Sequence, residues 1–272
     1  MPVYNGERYV AKAISSLLKQ TLENFELIIV DDGSTDATSE VISSFNDSRI
    51  IVLGKQKNTG IVNALNAGLR ESRGEFIARA DHDDLSRRNR LALQVRFLRS
   101  HPDIVAVGSF ALTIGRTVPW IKRPPTIPPR VKMSLAFTNP FVHSSVMMRR
   151  DSVESLGRNP YRNEFPLTED LDLWERLGNL GNLGNLDKYL VSYRIHKEQV
   201  SRVASNEQEA SVKAIQDRVF RKLMPDHEPP DANEISITKW WLAYARTHRE
   251  ARKRDVAWCW FRHSRKMLFD QR

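Results

Sequence analysis

Cysteine is almost absent: Cys259 is the only one in 272 residues. A lone thiol can form neither an internal disulfide nor a thiolate metal cluster, which excludes a disulfide-stapled scaffold and a cysteine-ligated zinc module. Long hydrophobic runs are missing too. None approaches the roughly 20 residues that cross a bilayer as a helix, and no basic, apolar, small-residue leader opens the chain. A reducing, cytoplasmic location is the expectation. Glycine is scarce where phosphate chemistry would use it, with no GxxxxGK[ST] and no GxGxxG opening a helix. No recognised RNA- or DNA-binding motif occurs, so no nucleic-acid partner is expected despite a formal net charge of +9.

The hydrophobic share of 40% fits a soluble globular protein. Its length suits one large domain or a domain with a small appendage. The first half alternates apolar runs with amphipathic stretches. "FELIIVDD" (Phe25–Asp32), "RIIVLG" (Arg49–Gly54) and "GEFIARAD" (Gly74–Asp81) read as internal strands. "YVAKAISSLLKQ" and "GIVNALNAGLRES" carry helical spacing. "DGSTDATSEVISSF" opens with a turn and offers Ser34, Thr35 or Asp36 as N-cap. This order predicts a mostly parallel sheet flanked by helices. In open sheets of that kind, ligands bind beyond the carboxyl ends of the strands. Polar clusters stand at three such ends: "PVYNGE" (Pro2–Glu7), "DDGSTD" (Asp31–Asp36) and "DHDD" (Asp81–Asp84). Without a glycine-rich nest, a bound diphosphate would need a cation held by carboxylates.

Six segments, "PVYNGERYVAKAISSLLKQTLENFELIIVDDGSTDAT", "NTGIVNALNAGL", "GEFIARADHDD", "FVHSSVMMRR", "TEDLDLWERL" and "YRIHKEQVS", together resemble glycosyltransferase family 2 in order and spacing. That family comprises inverting nucleotide-sugar transferases of the GT-A fold. The resemblance runs from about Met1 to Ser201 and implies a catalytic domain over 1–201, with 202–272 as a helical, basic extension. It also implies a nucleotide-sugar donor, most simply a UDP-sugar, a glycan or lipid-linked glycan acceptor, and Mn2+ or Mg2+ as cofactor. Pro2, Tyr4, Asn5 and Glu7 match the first donor-binding loop, and Asp32 matches the acid that contacts the base. Asn58 and Arg79 match further positions lining the nucleotide site. Asp81 and Asp83 match the DxD pair, the first facing the ribose and the second the metal. Asp170 matches the catalytic base, with Glu169 as an acceptor-side alternative. His196 matches a histidine that closes the site beside the metal. His143 and Arg149 fall in a segment near the acceptor side, where packing is an equal reading, and His82 reads as a bystander.

The chemistry suits these assignments. Transfer to a hydroxyl needs a base within reach of that hydroxyl. It also needs a hard cation to stabilise a departing nucleoside diphosphate. A sugar-nucleotide nucleotidyltransferase is the rival enzyme class, although "PVYNGERYV" lacks that class's glycine-rich loop. A catalytically impaired carbohydrate- or membrane-binding member is the other rival, suggested by the amino terminus. The family has several apolar residues ahead of its first-loop proline, whereas Met1 stands directly before Pro2. Either the start is misplaced, or the chain was truncated, or this first strand is abnormally short.

Further on, "GNLGNLGNL" (Gly178–Leu186) reads as a loop expansion and "RPPTIPPR" as a connector into a helix over Val131–Phe137. "EASVKAIQDRVFRKLMP" (Glu209–Pro225) reads as a helix and "PDHEPPDANE" (Pro225–Glu234) as a linker. From Lys239 to Arg272, ten Lys or Arg face three acids, Glu250, Asp255 and Asp270, among Trp240, Trp241, Trp258, Trp260 and Phe261. Two readings stay open for this tail: a helix pair at an anionic membrane surface, which would make the protein peripheral there, and a helical hairpin packed on the catalytic domain.

Overall fold

The computed structural model describes residues 1–55, 57–115, 118–165, 167–196, 206–226 and 229. The expected linker lies largely outside the described residues, and the tryptophan-rich tail wholly so. The element order is β1 (Pro2–Val3), α1 (Val10–Leu18), β2 (Leu27–Asp31), α2 (Thr38–Ser43), β3 (Ile50–Gly54), α3 (Ile61–Glu71), β4 (Phe76–Ala78), β5 (Leu85–Ser86) and α4 (Arg90–Ser100). There follow β6 (Ile104–Ile114), β7 (Ile121–Lys122), α5 (Pro128–Ser134), β8 (Met147–Arg149), α6 (Arg150–Glu154), α7 (Glu169–Leu180), β9 (Asn182–Arg194) and α8 (Asn206–Leu223). Among the described residues no helix is long and apolar enough to cross a membrane.

The parallel sheet expected from the alternating pattern forms as β1-β2-β3, with Val30 opposite both Pro2 and Leu53. All five residues of β2 are buried, which explains its unbroken apolar run. A second sheet has the order β4-β8-β6-β9-β5, with β7 added to β6. There β6 and β9 run parallel, while β4, β5, β7 and β8 pair antiparallel with their neighbours. The strand expected inside the sheet at Gly74–Asp81 is thus shorter and sits at the edge of this second sheet.

Two other expectations change. "GNLGNLGNL" is not a loop: its first residues finish α7 and its last five begin β9, with Gly181 between. Burial explains the switch. Leu183 and Asn185 point inward, and the Asn185 amide donates to the carbonyls of Pro125 (2.7 Å) and Pro140 (3.1 Å). The helix after "DDGSTD" starts only at Thr38, and its N-cap position is Ala37 rather than Ser34, Thr35 or Asp36. Asp36 still accepts a bond from the Thr38 amide at 3.1 Å.

The main core joins Trp174, Leu173 and Leu177 of α7 to Met148 of β8 and to Ile215, Val219 and Phe220 of α8. Charge fastens the same helix pair. Asp172, wholly buried, accepts from Arg176 and from Arg218 at 2.9 Å each, and Glu175 accepts from Lys222 at 2.5 Å. Removing one partner would leave a buried charge uncompensated, so α8 holds α7 at a fixed height.

The first strand, β1, spans Pro2–Val3. Below β1, a cleft of about 630 Å³ separates β2 from β4, lined by Met1, Ile28, Val30, Ile77, Ala78 and Met148 among others. The Met1 ammonium lies in it and donates to the Ile28 carbonyl at 2.8 Å. Burial, with Arg79 nearby, lowers that amine to about 5.

Candidate active site

Three loops build the site. The first two brace each other: Asn5 Oδ1 accepts from the Thr35 amide (2.9 Å), and Glu7 Oε2 accepts from the Ala37 amide (2.9 Å). Asn5 adopts a left-handed φ of 49°, which asparagine tolerates better than most residues. Both side chains therefore shape the first loop through its neighbour. Tyr4 is exposed above them and Pro2 is buried in β1.

Asp32, at the end of β2, is buried and well supplied with donors. It accepts from the Thr59 amide and hydroxyl and from the Gly60 amide, and Lys55 Nζ lies 3.1 Å away. Burial alone would raise its pKa, but these bonds hold it below the usual carboxylate value. Asn58 accepts from the Gly60 amide in the same turn. Gly33 makes this turn possible with φ of 79°, and a Cβ there would stand 2.6 Å from the Lys57 carbonyl carbon. Gly33→Ala is expected to cost about 1–3 kcal/mol in backbone strain and to displace the Asn58 turn. A lower melting temperature together with weaker nucleotide binding would show it.

The third loop is "DHDD". Asp81, Asp83 and Asp84 each bring a carboxylate oxygen within 4.8 Å of the others. Arg79 donates to Asp81 Oδ1 at 2.6 Å and also to the Ala80 carbonyl. Burial would raise Asp81, but the charge and hydrogen bond of Arg79, with His143 and His82 nearby, keep that carboxyl below its ordinary value. His196 Nε2 lies 2.9 Å from Asp83 Oδ2. Asp84 differs from its neighbours: it accepts from the Ser144 hydroxyl and the Arg194 amide, and burial with Asp81 and Asp83 alongside raises it to about 8. Its two oxygens tie the loop to β9 and to Ser144 ahead of β8. Asp81 and Asp83 each keep one oxygen outside the hydrogen bonds just described. An all-carboxylate donor set with an imidazole at its edge fits a hard divalent cation.

Beneath this loop lies Arg90, fully buried, which donates to the Arg79 carbonyl at 2.6 Å and to Ser86 Oγ at 3.0 Å. It fastens α4 to the acidic loop. His82 packs its ring against Gly6, where an added Cβ would stand 2.7 Å from His82 Cδ2. It spaces the first and third loops, a role that its position between two acids does not reveal.

Opposite the acidic loop, α7 begins with Glu169 and Asp170. Leu167, just before it, has φ of 60°, a left-handed conformation unfavourable for leucine. Asn139 Nδ2 donates to Asp170 Oδ2 at 2.6 Å, and the Leu171 amide donates to its other oxygen. Even so, burial raises Asp170 above the ordinary value. Burial, with Asp170 alongside, raises Glu169 to about 7, and its Oε2 is buried without a hydrogen-bond partner among the described residues. His143 sits behind them, 3.1 Å from the Tyr161 hydroxyl and edge-on to Trp174, and burial and Arg79 lower it to about 3. It is a neutral imidazole in a packed setting.

Arg149, by contrast, is drawn away from these groups. It donates to the carbonyls of Leu98 and Ile104, tying α4 to β8. Asn139, Tyr161 and Arg90 went unnoticed in the sequence, and nothing local marks Asn139. Asp84 stood in the cluster "DHDD" but was given no role of its own.

The architecture is an α/β sheet with carboxylates clustered beyond its strand ends. The family model "Glycosyl transferase family 2" matches residues 1–157. The chain belongs to glycosyltransferase family 2. It is 32% identical over 224 residues to an uncharacterised glycosyltransferase of Haemophilus influenzae, covering 78% of this chain and 69% of that one. Over 186 residues it is 34% identical to the putative glycosyltransferase EpsE of Bacillus subtilis, covering 65% and 64%. Against a Rickettsia felis relative, 31% identical over 77% of this chain, it spans 36% of the length. Among solved structures, S. aureus TarS 1–349 in complex with UDP-GlcNAc superposes with a TM-score of 0.63 at 20% identity, covering 81% of this chain and 69% of that one. The Pyrobaculum calidifontis mannosyltransferase PcManGT, in complex with GDP-Man and Mn2+, gives 0.58 at 16% identity, covering 100% and 86%. These two show that the fold is GT-A.

Proposed function

We propose that this chain transfers a sugar, with inversion, from a nucleotide-sugar donor to a hydroxyl of a glycan or lipid-linked glycan, in cell-surface polysaccharide synthesis. The donor is taken to be a UDP-sugar. Residues 1–201 would form the catalytic unit, with 202–272 as its extension. One observation carries the reading: Arg79 donates to Asp81 Oδ1 at 2.6 Å and is near enough for its charge to act on Glu169 and Asp170, so one cation lies close to both acidic clusters. Solved relatives of the fold hold UDP-GlcNAc or GDP-Man, which supports a nucleotide sugar.

In this mechanism Asp32, Asn58 and the Asn5–Glu7 loop hold the nucleoside, and Arg79 keeps Asp81 charged toward the ribose. Asp83, Asp81 and His196 would hold a Mn2+ or Mg2+ ion, which supplies positive charge to the diphosphate. Asp170 takes the proton of the acceptor hydroxyl on the face opposite the leaving group, with Asn139 fixing its orientation. Glu169 and His143 line the acceptor side.

Asp83→Ala tests the metal assignment. The diphosphate keeps its charge while the cation loses its anchor, so Mn2+-assisted UDP binding, measured by calorimetry, is expected to disappear. Unchanged affinity for UDP with Mn2+ would refute it.

A further inference from the structure

Eight large hydrophobic side chains are exposed among the described residues, and four of them, Val118, Trp120, Ile121 and Ile127, fall within ten positions. This segment is held firmly. The Trp120 amide and carbonyl both bond to Thr113, at 2.7 and 2.8 Å, and Ile121 pairs with Leu112 across β7 and β6. Further along, the Pro125 carbonyl accepts from Asn185, and Arg123 donates to the Tyr189 hydroxyl at 2.8 Å. A fixed backbone thus holds apolar side chains toward water.

The sequence in and beside the segment is basic. From Ile104 to Arg150 it has no acid, and Arg116, Lys122, Arg123, Arg130 and Lys132 fall in Val118–Ile127 or within five residues of it. Asp187, exposed on β9 near Tyr189, is balanced by exposed Lys188. The segment also borders the site. Lys122 Nζ lies 3.8 Å from the centre of the Tyr193 ring, and Arg194, next along β9, donates to the Asp83 carbonyl at 2.8 Å.

We infer that Val118–Ile127 is a membrane-docking edge that inserts Val118, Trp120 and Ile121 among anionic lipid headgroups, with Arg123 and its basic neighbours binding the phosphates. Exposed valine and isoleucine decide for lipid over a soluble anionic glycan, because sugars stack on aromatic rings and gain little from branched aliphatics, whereas the acyl boundary buries them. Basic residues at an anionic surface add an attraction that fades within a Debye length. The inference does not depend on which sugar is moved, and it places a lipid surface beside the carboxylate cluster.

Flotation of the full chain with vesicles of 30 mol% phosphatidylglycerol in phosphatidylcholine tests it. The parent is expected to float at low salt, and to float less at high salt or with phosphatidylcholine alone. The triple variant Val118→Ser, Trp120→Ser, Ile121→Ser is expected to bind roughly ten-fold less tightly or worse, with unchanged melting temperature and UDP binding. Arg123→Ala should lower binding to the anionic vesicles only. Equal flotation of parent and triple variant overturns the inference, because the tail or another surface would then carry the lipid contact. So does a dimer in sedimentation that the triple variant dissociates, since a second copy would then cover the patch. Loss of binding to a soluble polyanion such as dextran sulfate with no loss on vesicles overturns it in favour of a glycan.

Discussion

Asp170→Asn is expected to bind donor as the parent does and to transfer sugar about 10²–10⁴-fold more slowly. The amide is nearly isosteric, and the Leu171 amide can still donate to its oxygen, so the start of α7 should keep its place. What disappears is proton uptake, together with the bond that Asn139 donates to the second oxygen. The contrast with Glu169→Gln is informative because the two carboxyls differ in their surroundings: Asp170 is held by Asn139, while Glu169 has a buried oxygen without a hydrogen-bond partner among the described residues. If Asp170→Asn transfers at the parental rate while Glu169→Gln does not, the base is Glu169. Acidity gives a second reading. A base works only when deprotonated, and burial raises both carboxyls, Glu169 to about 7. The rate should therefore start to fall on acidification well above the ordinary carboxylate range. A rate unchanged from pH 7 down to pH 5 would contradict proton uptake by either residue.

Extending the chain by about five Val/Ile-type residues ahead of Met1 is expected to raise its melting temperature by roughly 5–10 °C. The cleft between β2 and β4 is lined by Ile28, Val30, Ile77 and Met148. Among the described residues, the facing edge of β2 has no strand partner beyond β1, and β4 pairs with β8 alone. An added strand would bury side chains worth about 1.5–3 kcal/mol each against about 1–2 kcal/mol of backbone ordering per residue. A net gain of a few kcal/mol moves the transition by about that many degrees in a chain of this size. The extension also replaces a buried amine with an amide. With a free amine at Met1, the unfolded state binds a proton that the folded state does not between the folded value of about 5 and the ordinary value of 8. Stability consequently rises with pH across that window and falls as the solution is acidified. The extended protein should lack this loss, so its advantage should be larger at pH 5 than at pH 8. An equal melting temperature with and without the extension would mean that the cleft does not take a strand.

The sequence made the parallel half of the fold legible because its signals are local. Phe25–Asp32 is apolar without interruption since β2 is covered on both faces, and the polar clusters follow directly where strands end. The carboxylates of "DHDD" and "TED" could be picked out for the same reason, each being a short run of unusual composition. The helix at Asn206–Leu223 was legible from its spacing, and the helix near Val131 was offset by a few residues, as caps are weak signals.

By itself, then, the sequence determined the α/β order, the family and the acidic clusters, all set by neighbours within a few residues. Tertiary structure alone decided that "GNLGNLGNL" bends from helix to strand, because the burial of Leu183 and Asn185 overrides the turn preference of Gly and Asn. It alone turned Phe76–Ala78 into an antiparallel edge, since strand pairing depends on partners 70 residues away in β8. Only the folded chain brings Asn139 to Asp170, Arg90 under Arg79 and His196 to Asp83. Such contacts join positions far apart in sequence, so no local pattern encodes them, and the low dielectric they share sets how each carboxyl holds its proton.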